Sequence, residues 1–279
     1  MKTRFLFFCL AFPSGLASAG PYAPAADQPG STAIAFDSTA ITGWASGYQD
    51  LVRGPVDISN PSGGNATFGT GEDALGPADA QNDSLPVVSL GDGGRITLTF
   101  DRPIANGPGA DFAVFENGVA DFLELAFVEV SSNGTLFFRF PSVSLTQTAT
   151  QVGSFGLVDP TDVNNLAGKY LRGFGTPFDL AELAGTAGLD ISAITHIRIQ
   201  DVVGSIDPLY GTRDSVRDAL APLGHLINDP WPTNFATGGF DLDAVGVLNF
   251  APLPEPSAIV LLASAALCAA SRRGRGRRR

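Results

Sequence analysis

The chain has 279 residues, 44% of them hydrophobic, with 17 Lys+Arg against 28 Asp+Glu and a formal net charge of −11. The basic residues collect at the two ends. Between Gly20 and Leu253 stand nine basic and 27 acidic residues, a balance that excludes nucleic acid as a partner because nothing is there to neutralise phosphates. Cys9 and Cys268 also lie in the end segments, so disulfides, thiolate catalysis and Cys-ligated zinc are excluded from the body, while the apolar content excludes disorder.

In chain order, Lys2 and Arg4 precede an apolar run from Phe5 to Phe12 and an Ala17-Ser18-Ala19 site. A charged start, a short apolar stretch and small residues at the cut define a secretory signal peptide over 1–19, with Ala17 and Ala19 marking cleavage. The run is too short to cross ~30 Å of hydrocarbon. Residues 20–31, rich in Pro, Ala and Gly, read as a flexible lead-in, and 32–253 as one domain. Strand patterns then recur between Gly, Pro, Asn and Asp. Ile96 to Phe100 alternates with Ile96, Leu98 and Phe100 on one face, after a Gly91-Asp92-Gly93-Gly94 turn. Asp111 to Phe115 is a short apolar strand. Leu125 to Val130 and Leu136 to Phe140 flank Asn133-Gly134, a hairpin signal. His196 to Gln200 alternates around two isoleucines, and Asp241 to Leu248 is the last strand.

Helix signals are short: a capping-box start at Asp179 with Glu182 and a stop at Gly185, a segment Asp162 to Ala167, and Asp214 to Leu223 with one apolar face. Helices of 10 to 15 residues between strands, which a doubly wound α/β sheet needs, are missing. The pattern predicts an all-β fold, a single sandwich with long loops and a few short helices.

After the body come Pro254-Glu255-Pro256, an apolar segment from Ser257 to Ser271, and six arginines in the last eight residues. By the positive-inside rule the arginines stay cytoplasmic and stop translocation. The three parts, covering 254–279, resemble the PEP-CTERM sorting signal. That resemblance implies a short transmembrane helix that holds the chain transiently in the inner membrane of a Gram-negative bacterium. It also implies processing by an exosortase as partner and delivery to the cell envelope, outer surface or extracellular matrix. Within the body, Phe127-Val128-Glu129-Val130-Ser131-Ser132-Asn133-Gly134 with Phe137-Phe138, then His196-Ile197-Arg198-Ile199, then Gly239 to Val245 are similar, in that order, to strands of discoidin-like and carbohydrate-binding jelly rolls. The resemblance implies a jelly-roll β-sandwich and assigns no activity.

For chemistry, the sequence offers no nucleophile motif beside His196 or His225, no P-loop, and no dinucleotide fingerprint between strand and helix. Its rich resource is carboxylates and amides. Asp111, Glu116 and Asn117 bracket one strand; Asp201 and Asp207 follow another; Asp241 and Asp243 share a face of the last, since side chains alternate with a period of two. These are candidate ligands for calcium, which takes six to eight oxygens and could stabilise a cysteine-free secreted domain as a disulfide otherwise would. The alternative is that they are solvated turn formers and caps. Glu116 with Asp241 or Asp243 is the pair a glycosidase would use. Trp44, Tyr48, Tyr170, Tyr210 and Trp231 lie in polar loop sequence, where a sugar-binding platform would be; Trp44, Tyr210 and Trp231 are the candidate ligand contacts.

The sequence thus reads as an exported, non-catalytic surface or matrix protein, binding an extracellular polysaccharide. Two alternatives stay open: a purely structural matrix protein, and a secreted glycan hydrolase.

Overall fold

Where the sequence alternates, the chain is strand, and where it is apolar without interruption the strand is buried on both faces. A computed structural model describes residues 19–79, 86–119 and 122–253. Ala17, the Pro254-Glu255-Pro256 motif and the C-terminal apolar segment lie outside them. No helix among the described residues is long and apolar enough to cross a membrane.

Thirteen strands are described: β1 (Ile34–Ala35), β2 (Gly43–Trp44), β3 (Gly47–Val52), β4 (Val88–Ser89), β5 (Arg95–Ile104), β6 (Phe112–Glu116), β7 (Ala126–Ser131), β8 (Phe138–Arg139), β9 (Val143–Ser144), β10 (Val163–Asn164), β11 (Phe174–Phe178), β12 (Ile194–Asp201) and β13 (Asp241–Val247). They make an all-β, antiparallel protein. One sheet runs β1-β11-β6-β13-β2, with β4 also on β13; a second runs β3-β5-β12-β7-β8; β9 and β10 form a small pair.

In the second sheet the alternation is carried across three strands. Ile197 lies opposite Leu98 and Val130, and Ile199 opposite Ile96 and Val128, all fully buried. The other face is polar: Glu129 is bound by Arg139 at 2.8 Å and Arg198 at 3.3 Å, and those guanidinium groups lie over Phe127 and Phe137. The apolar face packs on Phe112, Val114, Phe178, Leu242, Val245 and Val247 of the first sheet, so one core lies between the two sheets. Phe112, Phe140 and Phe178 fill one region of it with ring centroids 5.0 to 5.9 Å apart. Each such side chain contributes about 1.5–3 kcal/mol by leaving water.

The first sheet is covered on its outer face as well. Ala113, Phe115 and Ala244 pack there with Trp44, Ile34 and Ile41, so β13 carries no exposed residue along its length and its sequence does not alternate like that of a half-solvated strand. A register shift against β6 between Leu242 and Ala244 marks a bulge at Asp243.

The helices expected from sequence reduce to 3-10 turns or are absent. Leu180–Leu183 is one such turn, capped by Asp179, whose carboxylate accepts from the Ala181 N–H; Glu182 does not close a capping box but accepts from Asn165. At Asp162 the chain leaves a turn at Pro160–Asp162 and enters β10. From Asp214 to Leu223 there is no helix. Asp214 accepts from the N–H groups of Ser144, Val216 and His225, and Asp218 from those of Leu220 and Ala221. These carboxylates capture donors a helix would need, and Pro222 lacks one. Asn133-Gly134 turns the β7–β8 hairpin, but in a longer loop than the tight two-residue form. Asn133 Oδ1 accepts from Thr135 and Leu136, and Gly134 takes φ 71°.

Candidate functional site

Three strand ends meet at one end of the core. On β6, Phe112 and Val114 face inward, so Glu116 two residues on does too; on β12, Ile197 and Ile199 do, and Asp201 follows them. Asp241 begins β13, beside Glu116, whose register partner is Leu242. The loops add Glu124, Asp229 and Asp92. All six side chains are buried.

Hydrogen bonds hold most of these carboxylates in place. Asp201 accepts from Phe240 N at 2.7 Å and Gly93 N at 2.8 Å, tying the end of β12 to the entry of β13. Asp229 accepts from Leu125 N at 2.9 Å. Asp92 Oδ2 accepts from Ile58 N at 2.7 Å and from Trp231 Nε1 at 2.9 Å. Ser89 Oγ donates to Asp241, and Glu116 Oε2 accepts from Gly118 N at 2.7 Å. Glu116 Oε1 is buried with no partner among the described residues. Gly204 exists for close approach: a Cβ there would lie 1.6 Å from Asp229 Oδ1.

The electrostatics are one-sided. Burial pushes the carboxyls of Glu116, Glu124, Asp201 and Asp229 well above the carboxylate range, and neighbouring acids push further. Asp241 is raised by burial to about 7, even with Ser89, Asn117 and the charge of Arg53 favouring its anion. Asp92 is raised by burial against its two hydrogen bonds. Every influence resolved on Glu124 opposes its charge: burial first, then Asp241, Glu116, Asp201 and Asp229. Arg53 donates to the carbonyls of Phe68, Gly69 and Ser89. Among the described residues no salt bridge reaches any of these six carboxyls.

Of the seven calcium candidates, the fold brings together Glu116, Asp201 and Asp241, with Asn117 bonded to Asp241 and Asp243 acting on Glu116. Two do not belong. Asp111 sits at the opposite end of β6, where it accepts from Leu180 N, Gly107 N and Asn249 and staples that end of the core. Asp207 is exposed and caps a turn at Leu209 N. Sequence reading missed Glu124, Asp229 and Asp92. Glu124 had a signal, a lone acid between two leucines that prove buried; the other two stand in segments read for their turn glycines and their tryptophan. Among the described residues no three His, Cys, Asp or Glu side chains form a set that could hold a metal ion as they stand.

Beside the carboxylate cluster, joined to it through Asp92, lies an aromatic ledge. The rings of Tyr210 and Trp231 stack with centroids 6.4 Å apart, both half-buried, and Trp231 is oriented by its bond to Asp92. The adjoining loop, joined through Trp231 N to Val152 O and Ser154 Oγ to Pro232 O, presents Phe155, which is 76% exposed, between Phe122 and Phe235. Trp44 is not part of it. It lies in β2 and packs on Phe115 at 5.5 Å, covering the outer face of the first sheet. Tyr170 is buried and bonded to Thr32. A depression of about 560 Å³ lies elsewhere, lined by Ser144, Thr146, Arg213 and His225. No protein-family model matches the chain, and no curated protein is similar to it.

Proposed function

We propose that the chain is an exported envelope protein whose β domain is a non-catalytic module binding an extracellular polysaccharide. The observation that carries the binding is the Tyr210–Trp231 ledge, a flat aromatic face held from behind by a buried carboxylate. Fixed rings with a polar fringe suit the faces of sugar rings and cost little ordering on binding. Export, exosortase processing and transient residence in the inner membrane rest on the two end segments. The two facing antiparallel sheets are compatible with a jelly-roll sandwich. A hydrolase fits less well, because Glu116 and its candidate partners Asp241 and Asp243, at 1%, 5% and 2% exposure, are out of a glycan's reach. Calcium belongs to the proposal as a structural ion.

The test is binding of the full-length chain, purified in detergent, to the exopolysaccharide of its host. Saturable binding that Trp231→Ala weakens at least tenfold, and Trp44→Ala leaves intact, supports the module. No saturable binding by folded protein overturns the glycan reading in favour of a structural matrix role. Release of reducing ends would favour the hydrolase. Deleting residues 254–279 should abolish retention at the inner membrane, and unchanged fractionation would refute the sorting role.

A further inference from the structure

The first residues of the body are pinned to a turn 141 residues away in sequence. Gly20 N donates to Thr161 Oγ1 at 2.6 Å, and Tyr22 N donates to Thr161 O at 3.1 Å. Thr161 is buried, and its hydroxyl donates onward to Asp159 Oδ1 at 2.7 Å. Asp159 caps the Pro160–Asp162 turn that leads into β10. A Cβ at Gly20 would lie 2.2 Å from Thr161 O and 2.5 Å from Asp162 Oδ1, so only glycine fits there. By the same geometry the Gly20 nitrogen lies within about 5 Å of Asp162 Oδ1. Ala19, just before it, is exposed. Gly20 is thus both the residue that follows the Ala17-Ser18-Ala19 site and the one position where the body demands a glycine against Thr161.

We propose that Thr161, Asp159 and Asp162 form a binding site for an α-ammonium group, and that its ligand is the amino terminus of Gly20 released by cleavage after Ala19. The proposal rests on the export reading for the cut itself and goes beyond it in giving the new terminus a receptor within the body. Hydrolysis of the Ala19–Gly20 peptide consumes one water. The hydroxyl joins the Ala19 carbonyl, a hydrogen joins the Gly20 nitrogen, and the proton shed by the new carboxylic acid makes that nitrogen an ammonium. Before the cut the nitrogen has one N–H, which goes to Thr161 Oγ1. Afterwards it has three donors and a positive charge, with Asp162 beside it and Asp159 behind the Thr161 hydroxyl. Charge-assisted bonds of this kind are shorter and stronger than neutral ones. Burial and the nearby Asp159 hold the Asp162 carboxyl above its ordinary value, a penalty that an adjacent cation relieves. The neighbouring cation, Lys169, is turned to Val163 O at 2.8 Å and lies 5.8 Å from the Tyr22 ring. Removal of the leader thereby fastens the entry of the domain to the turn before β10.

The test reads the terminus and its titration together. The full-length chain is exported from a bacterial host and purified in detergent, and its first residue is identified by mass spectrometry. Beyond Lys2 the sequence has one lysine, Lys169, so the mature chain carries two primary amines. Isotopic acetylation across pH 6 to 10, read peptide by peptide, titrates each. The Gly20 amine should titrate at least one pH unit above the ordinary value of about 8. D162N, which keeps the shape but not the charge, should lower that midpoint by at least half a unit. T161V, which removes the acceptor, should lower it too, and D207N, on an exposed turn, should leave it in place. A terminus at Gly20 that titrates near 8, or a midpoint indifferent to both D162N and T161V, would overturn the site and leave export standing. A mature terminus at any other residue would overturn the site and the cleavage reading together.

Discussion

Titration of Asp241 gives the sharpest test of the carboxylate cluster's energetics. Its carboxyl rises from an ordinary 3.8 to about 7 in the folded chain, chiefly through burial. A folded-state value above the unfolded one means that the native state binds more protons between those limits. Stability is therefore fully present below pH 4 and drains away as pH rises toward 7. At about 1.4 kcal/mol per pH unit, the loss from this residue alone is about 4 kcal/mol, a large part of the 5–15 kcal/mol typical of a domain. Glu116, Glu124, Asp201 and Asp229 are displaced in the same direction and steepen the slope. Urea unfolding of the chain in EDTA, followed by tryptophan fluorescence at pH 4 to 8, should show stability falling across the range. Asp241→Asn keeps an oxygen to accept from Ser89 Oγ and should flatten the profile by about 4 kcal/mol. A profile that is level or rises between pH 4 and 8, or an unchanged slope in the variant, would refute the reasoning.

Ser89→Ala removes the donor to Asp241 and should cost about 1.5–3 kcal/mol at pH 8 but less at pH 4, where the carboxyl is neutral. Trp44→Ala should lower stability by about 2 kcal/mol, as expected for a half-buried aromatic packed on Phe115, and leave polysaccharide binding alone. Trp231→Ala should weaken polysaccharide binding and, by taking the Nε1 donor from buried Asp92, also cost about 1.5–3 kcal/mol; thermal melts beside binding curves will separate the two effects. Gly204→Ala would set its methyl against Asp229 Oδ1 and should destabilise by about 1–3 kcal/mol in denaturant titration. Phe112→Ala, which empties the space beside Phe140 and Phe178, should cost about 3–5 kcal/mol.

The strands legible in the sequence were those whose pattern has one cause. β5 and β12 alternate because one face is apolar core and the other is polar and partly open, and β6, β7 and β13 announce themselves by apolar density. The strands that could not be read are mostly two residues long, like β1, β2 and β4, or carry Gly and Pro, like β11 at Phe174–Phe178. Their extended shape comes from partners distant in sequence: β11 pairs with β6 some sixty residues away. Tertiary pairing also decided the fate of Asp214 to Leu223, whose helical periodicity lost to carboxylates that cap loops from other elements.

The carboxylate cluster divides the same way. Composition alone established an acidic body without cysteine, and the strand patterns placed Glu116 and Asp201 at the ends of two strands. Such patterns cannot say which strand ends are neighbours. That Glu116, Asp201 and Asp241 share one end of the core, while Asp111 is stapled at the other, follows from the order in which β6, β12 and β13 sit in the two sheets. Glu124, Asp229 and Asp92 arrive on loops, whose paths no periodicity encodes. Trp44 and Trp231 stand in similar-looking sequence, but one is laid on a sheet by pairing with Gly246 and the other stacks with Tyr210 and donates to Asp92. The sequence by itself determined which faces turn inward, because side-chain direction is a local property of an extended chain. Only the tertiary structure decided which buried charges meet, because that depends on contacts between residues far apart in the chain.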